Sequence, residues 1–313
     1  MIQLSHVVAI SFAAGAELFN AGALSAQNKA AAPTTAQTKA HAAECPSCAE
    51  WNAAQKPFRV FGNTWYVGTH GLGALLVTST SGHVLVDAGL PESAPLIAAN
   101  IAALGFRIKD VKLIVNSHAH FDHAGGMAEL QRLSGARVVA LPPSAWVLQR
   151  GESGDDDPQY GLGIPFAKVQ SPGVVEDNET IKGGEVSVTA HKTAGHTPGG
   201  TTWSWVSCEG ERCLNMVYAD SQTPVSADSF FYTRTKTYPN GLADFENGFR
   251  SLDAMPCDIL LTPHPDASGL WQRVAARDSG RVNALVDTMA CKRYADGARK
   301  RLATRIATET SKP

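Results

Sequence analysis

The stretch Ser117–Gly126, SHAHFDHAGG, holds three of the chain's ten histidines with an aspartate among them. It completes VKLIVNS, a short apolar run of the kind that forms a buried strand. It leads into GGMAELQRLSG, whose apolar spacing is helical and which Gly135 ends. A strand therefore hands over to a helix through a loop carrying His118, His120, Asp122 and His123. Loops at the carboxyl ends of strands open into a shared crevice. Imidazole is the commonest protein ligand for zinc, and carboxylate is acceptable to it. His118 and His120, two apart, can chelate one ion, while the adjacent Asp122 and His123 can face a second. Gly125 and Gly126 let the backbone turn tightly beside them.

Two metals need more ligands, and the chain offers them in matching places. His196 lies in TAGHTPGG and His264 in LLTPHPD, each just after a strand-like run. Five histidines and one aspartate then supply three protein ligands per metal. Three ligands leave a position open for water, which marks a catalytic rather than a structural site. The remaining histidines read as ordinary: His6 and His41 near the N-terminus, His70 and His83 in turns, His191 pointing off a strand.

The surrounding pattern is α/β. FRVFGNTWYVGT and GALLVTSTSGHVLVDAG are strand and hairpin material broken by Gly-Asn and Ser-Gly turns. ESAPLIAANIAALG is helical. VSVTAHK alternates as a strand, TTWSWVSC and CLNMVYAD pair as a hairpin, LADFENGFRSLDAM is helical and CDILLTPH is a strand. The tail from Ala284 to Thr308 reads as a basic helix with a solvated charged face. Alternating strands and helices predict layered sheets in one catalytic domain, residues 57–313.

The net charge of -2 argues against nucleic acid as a partner, since phosphate binding needs clustered Lys and Arg. VVAISFAAG near the start is too short to span a bilayer, which takes ~20 apolar residues. With ALSAQ behind it, it reads as an export signal, residues 1–26, cut after Ala26. Residues 27–56 are expected to be a flexible leader. Six cysteines in an exported chain read as disulfides of an oxidising compartment, here the periplasm. Pairing neighbours in chain order gives Cys45 with Cys48, Cys208 with Cys213 and Cys257 with Cys291. A redox dithiol is the other reading of Cys45 and Cys48.

SHAHFDHAGG resembles the His-x-His-x-Asp-His signature of the metallo-β-lactamase superfamily, over roughly Phe58 to the C-terminus. The resemblance implies a four-layer αβ/βα sandwich. It implies two zinc ions per chain, the first held by His118, His120 and His196, the second by Asp122, His123 and His264. Asp87 in VLVDAG would support them from behind. WNAAQKPFRVFGNTWYVGT and YADSQT are similar to class B, subclass 3 members, whose pattern gives Ser221 and Thr223 to the substrate carboxylate. Gln159 and Tyr160, in GESGDDDPQYGLG, would line the cleft, with the three aspartates before them a solvated turn. The implied reaction is hydrolysis of the β-lactam amide of penicillins, cephalosporins and carbapenems, a resistance activity, by a hydroxide shared between the zincs and oriented by Asp122. The implied enzyme is a monomer with a small-molecule substrate and no membrane span. Other branches hydrolyse thioesters or lactones and place an aspartate between the metals, so Asp220 could belong to either pattern.

Overall fold

The computed structural model describes Met1 and residues 45–311; the expected export signal and the first part of the leader, residues 2–44, lie outside the described residues. Two sheets stack face to face. The larger has seven strands in chain order, β1 (Phe58–Phe61), β2 (Thr64–Tyr66), β3 (Leu75–Val77), β4 (His83–Val86), β5 (Val111–Val115), β6 (Arg137–Ala140) and β7 (Gly173–Val174). The first four are antiparallel neighbours, and β4 to β7 run parallel. The smaller sheet is ordered β12 (Ile259–Leu261), β11 (Arg212–Tyr218), β10 (Thr201–Glu209), β9 (Val186–Lys192), β8 (Thr180–Gly183). Its β11–β12 pair is parallel and the rest antiparallel.

Burial explains the stacking. Val84, Val86, Leu113 and Val115 on one sheet meet Val188, Trp203, Trp205, Met216 and Tyr218 on the other. The opposite face of the large sheet, with Leu76, Leu85 and Ile114, is covered by α2 (Ser93–Ala103), α4 (Met127–Ser134) and α5 (Pro142–Arg150) through Ile97, Ile101, Met127, Leu130 and Leu148. Val217 and Leu260 on the outer face of the small sheet are covered by α6 (Gly241–Ala254) and α8 (Ala290–Thr310) through Phe245, Phe249, Leu252, Ala295 and Leu302. The result is helix, sheet, sheet, helix, the expected four-layer sandwich. A strand buried on both faces needs a continuous apolar run, and β5 supplies one: only Lys112 is exposed.

Three features differ from the sequence expectation. Residues 45–56, assigned there to a flexible leader, are docked on the domain. Cys48–Trp51 makes one helical turn, α1, and Cys45 and Cys48 are buried with Leu72, Leu90 and Ile164. The Trp51 carbonyl accepts from Gly71 N (3.0 Å) and Thr69 Oγ1 (2.7 Å). The C-terminal helix starts at Ala290 rather than Ala284, because Asp287 N is tied to Asp258 O (2.7 Å) in the preceding turns. Strand β6 and helices α5 and α7 (Leu270–Asp278) had no counterpart in the sequence reading.

Three disulfides are present: Cys45–Cys48, Cys208–Cys213 and Cys257–Cys291. Cys208 and Cys213 face each other across the β10–β11 hairpin, and Cys257–Cys291 joins the approach to β12 to the first turn of α8. Among the described residues, no helix is long and apolar enough to cross a membrane.

Candidate metal centre

The candidate ligands leave the carboxyl ends of three strands on one rim. β5 runs out through Asn116 and Ser117 into His118 and His120, and the short helix α3 (Phe121–Ala124) presents Asp122 and His123. β9 leads to His196 and β12 to His264. Two bonds fix the entry to the first segment from the opposite sheet. Thr201 N donates to Ser117 O (2.7 Å), and Trp203 Nε1 donates to Asn116 O (2.9 Å).

The ligand-type atoms of His118, His120 and His196 lie within 4.8 Å of one another, as do those of His118, Asp122 and His123. His264 joins the second group: its Nε2 is 3.3 Å from Asp122 Oδ2, and His123 Nε2 is 3.2 Å from the same oxygen. Ligand atoms ~2.0–2.1 Å from a tetrahedral ion stand about 3.4 Å apart, so these separations suit a shared zinc-sized cation. Buried polar atoms are normally hydrogen-bonded. His118 Nε2 is buried without a hydrogen-bond partner, which an ion between the side chains would account for.

Each histidine of the first group is gripped at its other ring nitrogen. His118 Nδ1 donates to Asp220 Oδ1 (2.7 Å), His120 Nε2 to Asp157 Oδ2 (2.9 Å) and His196 Nδ1 to the Thr223 carbonyl (2.8 Å). Such outer partners fix tautomer and ring orientation. They leave Nε2 of His118, Nδ1 of His120 and Nε2 of His196 to converge.

Metal ligands must be deprotonated, and His118, His196 and Asp122 are shifted that way while His120 is shifted the other. Burial, reinforced by the other imidazoles, holds His118 well below the ordinary histidine value. Burial and then His120 lower His196 as well. Burial alone would lower His120, but the Asp157 carboxylate outweighs it and raises that ring. Burial alone would raise Asp122, but His123 and His264 hold its carboxyl well below the usual range.

Asp87 sits beneath the loop, fully buried, at a left-handed φ of 59°. Its Oδ1 accepts from Ser117 N (2.7 Å) and Asn116 Nδ2 (3.2 Å), its Oδ2 from Ser117 Oγ (2.6 Å) and Tyr218 OH (3.0 Å). A strained backbone on a carboxylate with four donors is how a fold aims a functional loop. Ser221 is buried and Thr223 half-buried, on the segment leaving β11. Gln159 places its amide nitrogen 3.3 Å from His196 Nε2, and Tyr160 is exposed beside it.

Sequence reasoning misplaced or missed four residues. Asp157, read as part of a solvated turn, is buried against His120, while its neighbour Asp155 is exposed. Nothing in the string DDDP distinguishes the three carboxylates. Asp220 lies behind His118 rather than among the converging atoms, a contact that only the fold reveals. Thr223 acts on His196 through its carbonyl, which carries no side-chain signal. Trp51 tilts against the His264 ring with centroids 5.2 Å apart, which required residues 45–56 to be folded.

Comparison with known proteins accords with this geometry. Residues 74–209 match the sequence profile of the metallo-beta-lactamase superfamily. A hydroxyacylglutathione hydrolase of Rhodopseudomonas palustris (strain BisB18) is 31% identical over 126 residues, 40% of this chain and 39% of that protein. A second, from Ectopseudomonas mendocina (strain ymp), is 32% identical over 89 residues, so the chain spans only about a third to two-fifths of these curated relatives. Solved structures match over far more. The Rm3 metallo-beta-lactamase is 54% identical, with 85% of this chain and 99% of that one covered and a TM-score of 0.84. MEM-A1, a subclass B3 metallo-beta-lactamase from a soil metagenome library, is 47% identical over 84% and 100% of the two chains, TM-score 0.82. The metallo-beta-lactamase SMB-1 is 42% identical over 83% and 99%, TM-score 0.79.

Proposed function

Because the chain belongs to the metallo-β-lactamase family and is most like that family's subclass B3 members, we propose that it hydrolyses the amide bond of penicillins, cephalosporins and carbapenems with two zinc ions. The observation that carries the reading is the pair of converging ligand groups with Asp220 turned away behind His118. His118, His120 and His196 would hold the first zinc, and Asp122, His123 and His264 the second. Zinc held there supplies Lewis acidity toward the lactam carbonyl and lowers the pKa of a bound water to about 7.

The chain's own groups do the rest. Asp122 is ionised at neutral pH, so its carboxylate accepts a hydrogen bond from the attacking water and fixes its direction. Asp220, Asp157 and the Thr223 carbonyl each hold one ring nitrogen of an imidazole and so aim the other. Ser221 and Thr223 would bind the substrate carboxylate by hydroxyl hydrogen bonds, and Gln159 would border the lactam from the opposite loop. Residues 57–313, with the docked 45–56 segment, form the catalytic unit of a monomer. Residues 1–26 direct it to the periplasm, where three disulfides are stable.

One observation favours a thioester hydrolase instead, the partial match to hydroxyacylglutathione hydrolases. Against it stands Asp220, whose Oδ1 accepts from His118 Nδ1 and which is in neither group of converging atoms. The test is turnover of a penicillin, a cephalosporin, a carbapenem, an acylglutathione and a homoserine lactone by zinc-loaded protein, with and without chelator. The three β-lactams should be cleaved, chelation should abolish cleavage, and added zinc should restore it. His118→Ala should fold and lose at least 10²-fold in kcat/KM. A rate confined to the thioester would overturn the assignment.

A further inference from the structure

We propose that Asp157 is a positioning residue that makes the 151–163 loop a working part of the first metal site, so that substrate-side contacts and metal affinity form one linked equilibrium. The proposal rests on the assignment of His118, His120 and His196 to that site. Of their three outer partners, Asp220 and Thr223 follow β11, and Asp220 N is itself held by Thr202 Oγ1 on β10 (3.1 Å). Asp157 lies on a connection between α5 and β7 that contains no strand of either sheet.

The Asp157 carboxylate divides its oxygens. Oδ2 takes the His120 Nε2 bond, and Oδ1 accepts from Gln159 N (2.8 Å). Gln159 also places its side-chain amide 3.3 Å from His196 Nε2, a contact that gives way when that nitrogen binds metal. Between them, the Pro158 carbonyl accepts from Ala227 N (2.8 Å), four residues beyond the Thr223 carbonyl that holds His196. Three consecutive residues therefore touch two of the three histidines and the segment that orients one of them. A carboxylate is buried at such a place only when it is paired. The pairing here is shared between a ligand and the backbone of the loop.

Linkage makes the consequence reciprocal. A substrate group that displaces Gln159 pulls on Asp157 and loosens His120. A filled first site holds His120 in place and, through Asp157, holds the loop. The second group, Asp122, His123 and His264, has no bond to this loop and should be indifferent.

The test is a competition titration of both zinc sites against a chromophoric chelator, with Co(II) spectra to distinguish them. Asp157→Ala should weaken one site by about 10–100-fold and leave the other unchanged. Asp157→Asn, which keeps an acceptor without the charge, should fall between, and it decides the matter if the alanine variant does not fold. Asp155→Asn, exposed and away from the histidines, should change neither affinity. At limiting zinc kcat should fall in Asp157→Ala, and excess zinc should restore it while a raised KM remains. Wild-type affinity at both sites in the alanine and asparagine variants, or equal loss at both, would overturn the proposal. If all variants bind zinc as predicted but none hydrolyses a β-lactam, the functional assignment fails and this linkage stands.

Discussion

Replacing Asp87 tests whether the loop is held from below. In Asp87→Ala, Ser117 Oγ can rotate to another partner, and Tyr218 OH can keep its bond to Gly73 O (3.0 Å). Ser117 N and Asn116 Nδ2 cannot adapt in the same way, and each becomes a buried unpaired donor at about 1–3 kcal/mol. Alanine at a left-handed φ adds about 1 kcal/mol. The expected loss is therefore about 3–7 kcal/mol, a large share of the roughly 5–15 kcal/mol that holds an ordinary domain together. Asp87→Asn tolerates the backbone conformation and can present its carbonyl to Ser117 N and its amide to the two hydroxyls, so it should lose only about 1–2 kcal/mol. Asp87→Gly removes the backbone strain but not the unpaired donors, and should fall between. Urea unfolding with the metal chelated measures all three. An alanine variant within 1 kcal/mol of wild type, or an asparagine variant as damaged as the alanine one, would refute the reasoning.

Two further outcomes follow from the outer layers. Glu309, buried on α8, accepts from Tyr232 N, Thr233 N and Arg305 Nε. Burial alone would raise its carboxyl, but Arg305 and the Thr233 and Tyr232 amides outweigh it and hold it below the usual value. A depressed acid stabilises the fold above its unfolded value of about 4.3 and loses that contribution as pH falls through the folded value. Glu309→Gln should therefore cost about 1–2 kcal/mol at pH 7 and converge on wild type in acid, read as Tm against pH. For the disulfides, removing Cys257–Cys291, which spans 34 residues, should cost about 2–4 kcal/mol. Removing Cys208–Cys213, which spans 5, should cost about 2 kcal/mol or less by urea midpoint, and equal losses would contradict the loop-entropy account.

The candidate centre was legible because its candidate ligands sit where strands end. A buried apolar run announces β5 by itself, and three histidines directly after it need no tertiary information. His196 and His264 follow by the same rule. What stayed hidden depends on contacts between distant segments. Asp157 and Asp155 are equivalent in the string and separate only when the loop folds over His120. The 45–56 segment looked polar because its burial comes from two cysteines and from Leu72, Leu90 and Ile164 elsewhere in the chain. Helix α5 opens on Pro142 and Pro143, residues that suit a helix start but also suit a loop. Helix α7 buries only Leu270 completely, so its apolar stripe is narrow.

The two bonds from Thr201 and Trp203 to the end of β5 have a consequence in time. Synthesis delivers His118, His120, Asp122 and His123 first, but the strand that braces their loop is not made until β10, and the last ligand not until after β12. A chain still emerging carries a partial set of imidazoles on an unbraced turn, and a partial set holds metal poorly. The full candidate ligand set and the brace on its loop therefore come together only once β10 and β12 are in place.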